Sequence, residues 1–543
     1  MNLLLIAAAI ALAPPAADGT HDHGPQLGQL SLQSSCNPAA KALLEQGLGW
    51  LHSFEYAPAE QAFAEAAAAD PRCAIALWGV AMSNYHPLWA PPTPAELAKG
   101  GAALAKARAV GGSKREQDYV AAIGTFYADS DRVDHKTRAL AYTAAMEQLH
   151  RRYPTDDEAA VLYALSLVAA GTMDDDPAFE REKAAAEILN SVLARRPDHP
   201  GVAHYLIHGF DYPQLATFGL EAARRYAAIA PASAHAQHMP SHIFIRLGLW
   251  DEAIKSNLAA DAAGRAYARS KGLPGEWDQR LHAMDYLAYG YLQTGQDREA
   301  ERVLDQLNAI KSVEPPAFTV GYAATAIPAR LVLERRRWTE AASLELHENV
   351  RGFAPLDKFA WGKAHIHFAR AIGAARSGNP ALARIEVAQL NTIEQSIVVP
   401  PGTYDWRKQV SIERQVAEAW LAFADGRKEE ALRLMRAVAD LDDATEKHPV
   451  TPGAVLPARE QLGELLLELG RPAEGMREFE AALVRSPRRL AALYGAARAA
   501  KRAGNASQAS RYYAAVLEVA GKGEPTRAEV REAREHVARH AAR

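Results

Sequence analysis

One spacing constrains this chain more than its composition does. His204 and His208 stand four residues apart, and so do His238 and His242. The second pair is the first displaced by 34 residues, and Pro197 and Pro231 keep the same offset. On a helix an i, i+4 pair shares one face, one turn apart. A fixed period of this length is the mark of a helical array whose units cannot bury an apolar face alone and stack on one another. One position of the repeating unit is therefore histidine in two neighbouring units. Frequent alanine and scarce β-branched or aromatic runs favour helix nearly throughout. The fold class expected is all-α.

The 543 residues carry 65 acidic and 61 basic side chains, a net charge of -4. That balance, with no run of Lys and Arg to track a phosphate backbone, gives no sign of a nucleic-acid partner. No stretch after the N-terminus is long and apolar enough for a membrane span. Residues 1–17 read as a secretory signal: a short apolar run from Leu3 to Leu12, then small residues at Ala13, Ala16 and Ala17. The expected location is outside the cytoplasm, in a periplasm. Cys36 and Cys73 are the only cysteines. In an oxidising compartment they pair most simply as one disulfide, and in a cytosolic protein they would be two buried thiols.

Residues 18–37 are polar and glycine-containing, an extended lead-in. From residue 38 the pattern turns helical. The segment LLEQGLGWLHSFEYAPAEQAFAEAAAADP places Gly47, Ala59 and Ala66 where two helices cross closely, with Trp50 and Phe63 filling the gaps beside them. It resembles a tetratricopeptide (TPR) repeat. Similar units follow at 281–307, 365–390, 420–435 and 460–487. They are cleanest at the two ends and most altered in the middle, at 199–290. The array is expected over 38–522, with 523–543 a charged helix that closes its open end. An acidic patch, TMDDDP at 172–177, reads as a solvated turn.

The resemblance places the unit's second, fifth and ninth positions on the concave groove of a right-handed α-solenoid. His204 and His208 fall at the fifth and ninth positions of one unit. His235, His238 and His242 fall at the second, fifth and ninth of the next. His282 and Asp285 take the second and fifth of a later unit, and His365 a second position. Neutral imidazole suits zinc, copper or iron, and two i, i+4 clips make four ligands: His204, His208, His238 and His242. His235, His282, Asp285, Asp211 and His365 are outer candidates. Asn257 stands where the repeat wants a large apolar residue and could orient an imidazole. Neither pair encloses a glutamate, which disfavours an HExxH protease. GxGxxG, GxxxxGK[ST] and GxSxG are absent. Grouped histidines can also contact an anionic peptide or simply pack helices.

LHSFEYAPAEQAFAEAAAADPRCAIALWGVAMSNYHPLW, HPGVAHYLIHGFDYP and APASAHAQHMPSHIFIRLGLW are similar to segments of a family of exported bacterial TPR proteins. The resemblance implies architecture, export and a groove for a protein or peptide, and supplies no reaction. Two functions are therefore expected. One is a scaffold holding a transition metal in its groove; if that scaffold is an enzyme, the metal would activate water or dioxygen, with Asp285 or another histidine accepting the proton. The other is an adaptor binding an envelope peptide without metal.

Overall fold

Phe63 shows how neighbouring helices meet. It lies on the helix Tyr56–Ala69, between the helices Pro38–His52 and Ala74–Met82. A Cβ on Gly47 would stand 2.8 Å from the Phe63 ring, and one on Gly79 only 2.3 Å. The flanking helices can therefore close on the ring only because both positions lack a side chain. The same trio recurs near the other end as Gly463, Phe479 and Gly495, where a Cβ would fall 2.7 and 2.3 Å from the ring. Gly79→Ala must displace a fully buried ring. We expect it to cost about 1–3 kcal/mol, read as a lower urea midpoint.

The computed structural model describes residues 25–30, 32–88, 90–173 and 176–541. They form an all-α solenoid in which successive helices pack in pairs, such as Pro200–Gly209 with Leu220–Ile229, Trp250–Lys271 with Asp278–Gln293, and Leu490–Arg502 with Ala506–Ala520. The strand content among the described residues is one two-residue parallel pairing, Glu276–Trp277 with Val313–Glu314. No described helix is long and apolar enough to cross a membrane. Cys36 and Cys73 form the disulfide, tying the segment before the first helix to the start of the third. The signal segment 1–17, and Asp174 and Asp175 of the acidic turn, lie outside the described residues.

Both ends are held against the array. The lead-in, over its described part, is extended but docked: Leu27 and Leu32 are buried, and Gln29 N donates to Asp198 O at 3.0 Å. The last helix, Ala528–Ala541, packs on Ala506–Ala520 and exposes its other face. Just before it, buried Arg527 donates to Leu292 O and pairs with Asp297 at 2.7 Å. Arg489 likewise reaches back to Tyr289, Glu334 and Glu460. The C-terminal repeats thus fold back onto the central ones. Burying these arginines is tolerable because each meets a carboxylate and further acceptors.

Candidate metal centre

Four helices bring six histidines together. Pro200–Gly209 carries His204 and His208. Ala234–His238 carries His235 and His238, Pro240–Arg246 carries His242, and Asp278–Gln293 carries His282. The pair His238 and His242 was expected on one continuous helix. It instead spans a junction, because Pro240 has no N–H to continue the ladder and opens a second short helix. The one-turn offset survives the junction, and the two rings still face each other.

The six rings form two groups of three. The side-chain nitrogens of His204, His208 and His235 lie within 4.8 Å of one another, and so do those of His238, His242 and His282. The expected set of four is thereby redistributed, with each i, i+4 pair gaining a third ring from a different turn. The groups adjoin: ring centres are 5.9 Å apart for His208–His242 and for His235–His238. All six are buried. Burial lowers the pKa of every one of them, to about 3 for His204. At neutral pH they are uncharged imidazoles, the form that ligates metal.

Partners on the far side of three rings fix which nitrogen faces inward. The Asn257 amide donates to Ala253 O, so its Oδ1 accepts from His238 Nδ1–H at 2.6 Å. Asp211 Oδ2 accepts from His242 Nδ1–H at 2.9 Å. Burial would raise the Asp211 pKa, but Lys447 and Arg246 hold it well below the carboxylate range. His204 Nδ1–H donates to His52 O at 2.5 Å. Each Nε2 therefore points a lone pair inward. Those of His238 and His242 lie 3.0 Å apart. Two lone pairs at that distance repel unless a cation or a proton stands between them. Two nitrogens bound to one ion at ~2.0 Å sit about 3.3 Å apart in tetrahedral geometry. The Nε2 atoms of His204 and His208 are buried without a hydrogen-bond partner among the described residues.

Further side chains complete the surroundings. Tyr286 OH donates to Val450 O and lies 3.2 Å from His242 Nε2. Phe54 packs against His204, His208 and His235, from a backbone φ of 54° that side chains seldom adopt. Burial pushes Glu55, which accepts from His235 N, up to about 8. A cleft of about 380 Å³ bordered by His208, Asp211, Tyr212, Tyr404 and Lys447 lies beside the centre.

The other sequence candidates fall elsewhere. Asp285 is ion-paired to buried Arg330 and belongs to neither group of three. His365 lies against Tyr322, Thr325 and Glu413, apart from the six rings. Asp211 and Asn257 hold imidazoles from behind. The six rings do not line an open concave groove, since the array curls around them. Sequence reasoning missed a third group. Glu158 accepts from His52 Nε2 at 2.9 Å and His199 Nε2 at 3.1 Å, and the Tyr205 hydroxyl meets His52 Nδ1 at 2.8 Å. A Cβ on Gly201 would fall 2.5 Å from that Nδ1. His52 has a histidine 34 residues on, His86, but neither Glu158 nor His199 shares that register with it, so only the fold reveals the group.

No family model matches the chain, and no curated protein matches it. Solved structures of low similarity include the P58(IPK) TPR domain, 16% identical over 71% of this chain and 98% of that one, with a TM-score of 0.20. The human IFIT1 dimer with m7Gppp-AAAA is 12% identical over 88% and 99%, at 0.37. Yeast Tom70 is 11% identical over 93% and 96%, at 0.29. At such scores these likenesses carry no argument about the site.

Proposed function

We propose that this chain is a metalloprotein whose six imidazoles hold a pair of transition-metal ions, one in each group of three. The observation that carries this reading is the facing Nε2 pair of His238 and His242, 3.0 Å apart, with both Nδ1–H groups engaged by Asn257 and Asp211. Three protein ligands per ion leave a coordination position open, the pattern of catalytic rather than structural sites. The cleft at His208 would give the route to it. Such ions would supply Lewis acidity or, for copper and iron, reactivity toward dioxygen.

Charge favours copper over zinc and iron. None of the six ligands is anionic, and the Asp211 charge is already matched by Arg246 and Lys447. Two buried divalent ions would stand uncompensated without an added anion, whereas monovalent copper halves that burden. A peptide adaptor working through these histidines finds no support in their burial. Export is proposed on the apolar N-terminal run and the Cys36–Cys73 disulfide.

Elemental analysis of untagged protein tests the reading. We expect about two equivalents of metal, lost in a His204→Ala, His238→Ala variant whose circular dichroism is unchanged. Wild-type protein that stays metal-free after reconstitution with copper, zinc and iron would overturn it.

A further inference from the structure

We propose that a second cavity, separate from the six histidines, binds a small organic ammonium ion. It lies beneath the segment 445–457 and has a volume of about 100 Å³, many times the roughly 10–15 Å³ that one water needs. Its walls combine charged side chains with the rings of Tyr322, Tyr404, Trp406 and His448. Trp406 stands at their centre, stacked on Trp361 at 3.9 Å and on His448 at 5.2 Å, with Tyr404 at 4.9 Å. Trp406 and Tyr404 are partly exposed and form the mouth.

The wall also carries a buried carboxyl, which burial and the neighbouring Asp442 push up to about 8, so that it is largely protonated in the empty cavity. Glu413 is 7% exposed, and its Oε2 has no hydrogen-bond partner among the described residues. The nearest basic group to its other oxygen is His365 Nε2, at 3.6 Å. Burial lowers the His365 pKa to about 3, so that ring is neutral. The cationic side chains on the wall are already committed. Arg246 and Lys447 pair with Asp211, Arg485 with Glu446, Arg489 with Glu334 and Glu460, and Arg459 with Asp443 and Glu478. An anion would therefore find no unmatched positive charge. A cation finds an open carboxyl oxygen, which its approach would draw to the ionised form, beside an aromatic mouth. The two features select an ammonium head with a short apolar body over a metal ion, which would need more than one oxygen ligand.

Tryptophan fluorescence of the full chain, titrated with tetramethylammonium, butylammonium and butyrate, tests this. We expect saturable quenching by at least one ammonium ion and none by butyrate. Glu413→Gln preserves shape and cannot ionise, so it should fold; we expect it to weaken ammonium binding about tenfold or more. Trp406→Phe, which keeps a π face, should bind with an altered fluorescence amplitude, and Trp406→Ala should bind poorly. Metal content, measured in the same samples, should not change. Failure of both ammonium ions to bind, equal affinity in Glu413→Gln, or preferential binding of butyrate would overturn the proposal and leave the histidine centre untouched.

Discussion

Asp211→Ala is expected to lower folding stability by about 3–5 kcal/mol, the cost of stranding buried charges. The Asp211 carboxylate accepts from Arg246 Nε at 2.8 Å, from Lys447 Nζ at 2.7 Å and from His242 Nδ1 at 2.9 Å. Its removal leaves two cations facing each other across a buried gap. It also frees the His242 ring to turn or to change tautomer. Lys447 already has its pKa lowered by burial, against the pull of Asp211, so part of the cost will be avoided by its deprotonation. Asp211→Asn separates the two roles. It keeps an oxygen for His242 Nδ1–H and loses the charge, so it should lose most of the stability and less of the metal affinity. Urea unfolding of the three proteins checks this. A loss under about 1 kcal/mol in Asp211→Ala would place the network among weakly coupled surface pairs and remove its orienting role.

Glu158→Gln is the second large effect, expected at about 3 kcal/mol. The amide can accept from only one of His52 and His199, and a buried donor left unmatched costs roughly 1–3 kcal/mol, more when its partner was charged. Burial would raise the Glu158 pKa, yet the two imidazoles hold it well below the carboxylate range. Its ionised form is therefore worth more in the folded chain than in the unfolded one. That stability is fully present above the unfolded value of 4.5 and is lost as pH falls below it toward the folded pKa. Melting temperature followed from pH 7 downward should drop in the acid range for wild type and drop less for Glu158→Gln. Parallel curves would show that Glu158 is not ionised between the two rings. The effect should extend to the metal centre, because His52 O receives His204 Nδ1–H at 2.5 Å.

How much of this was legible in the sequence differs by level. The 34-residue displacement and the small-large-small crossings marked helical pairs, and Gly47 and Phe63 stand in the contacts expected of them. The histidines that matter were visible because repeat register put them on one face of neighbouring units. Their grouping was not. Whether His235 joins His204 or His242 depends on the break at Pro240 and on how far the helix Asp278–Gln293 swings inward, and both are tertiary outcomes. Asp285 looked like a ligand by position, but its partner Arg330 lies 45 residues on and no local pattern announces it. His52 and Glu158 come from separate repeats and meet only because the array curls. Lys447 reaches Asp211 from 236 residues away, on a segment that reads as an ordinary connection. Local periodicity reports what shares a face; curvature decides which faces meet.

Anomalous X-ray scattering from crystals of metal-reconstituted protein, recorded at the absorption edge of the bound element, would locate the ions. Two peaks are expected, one within reach of His204, His208 and His235 and the other within reach of His238, His242 and His282. Ions bound only at surface histidines, or no peak among the six rings in protein that elemental analysis shows to be loaded, would contradict it.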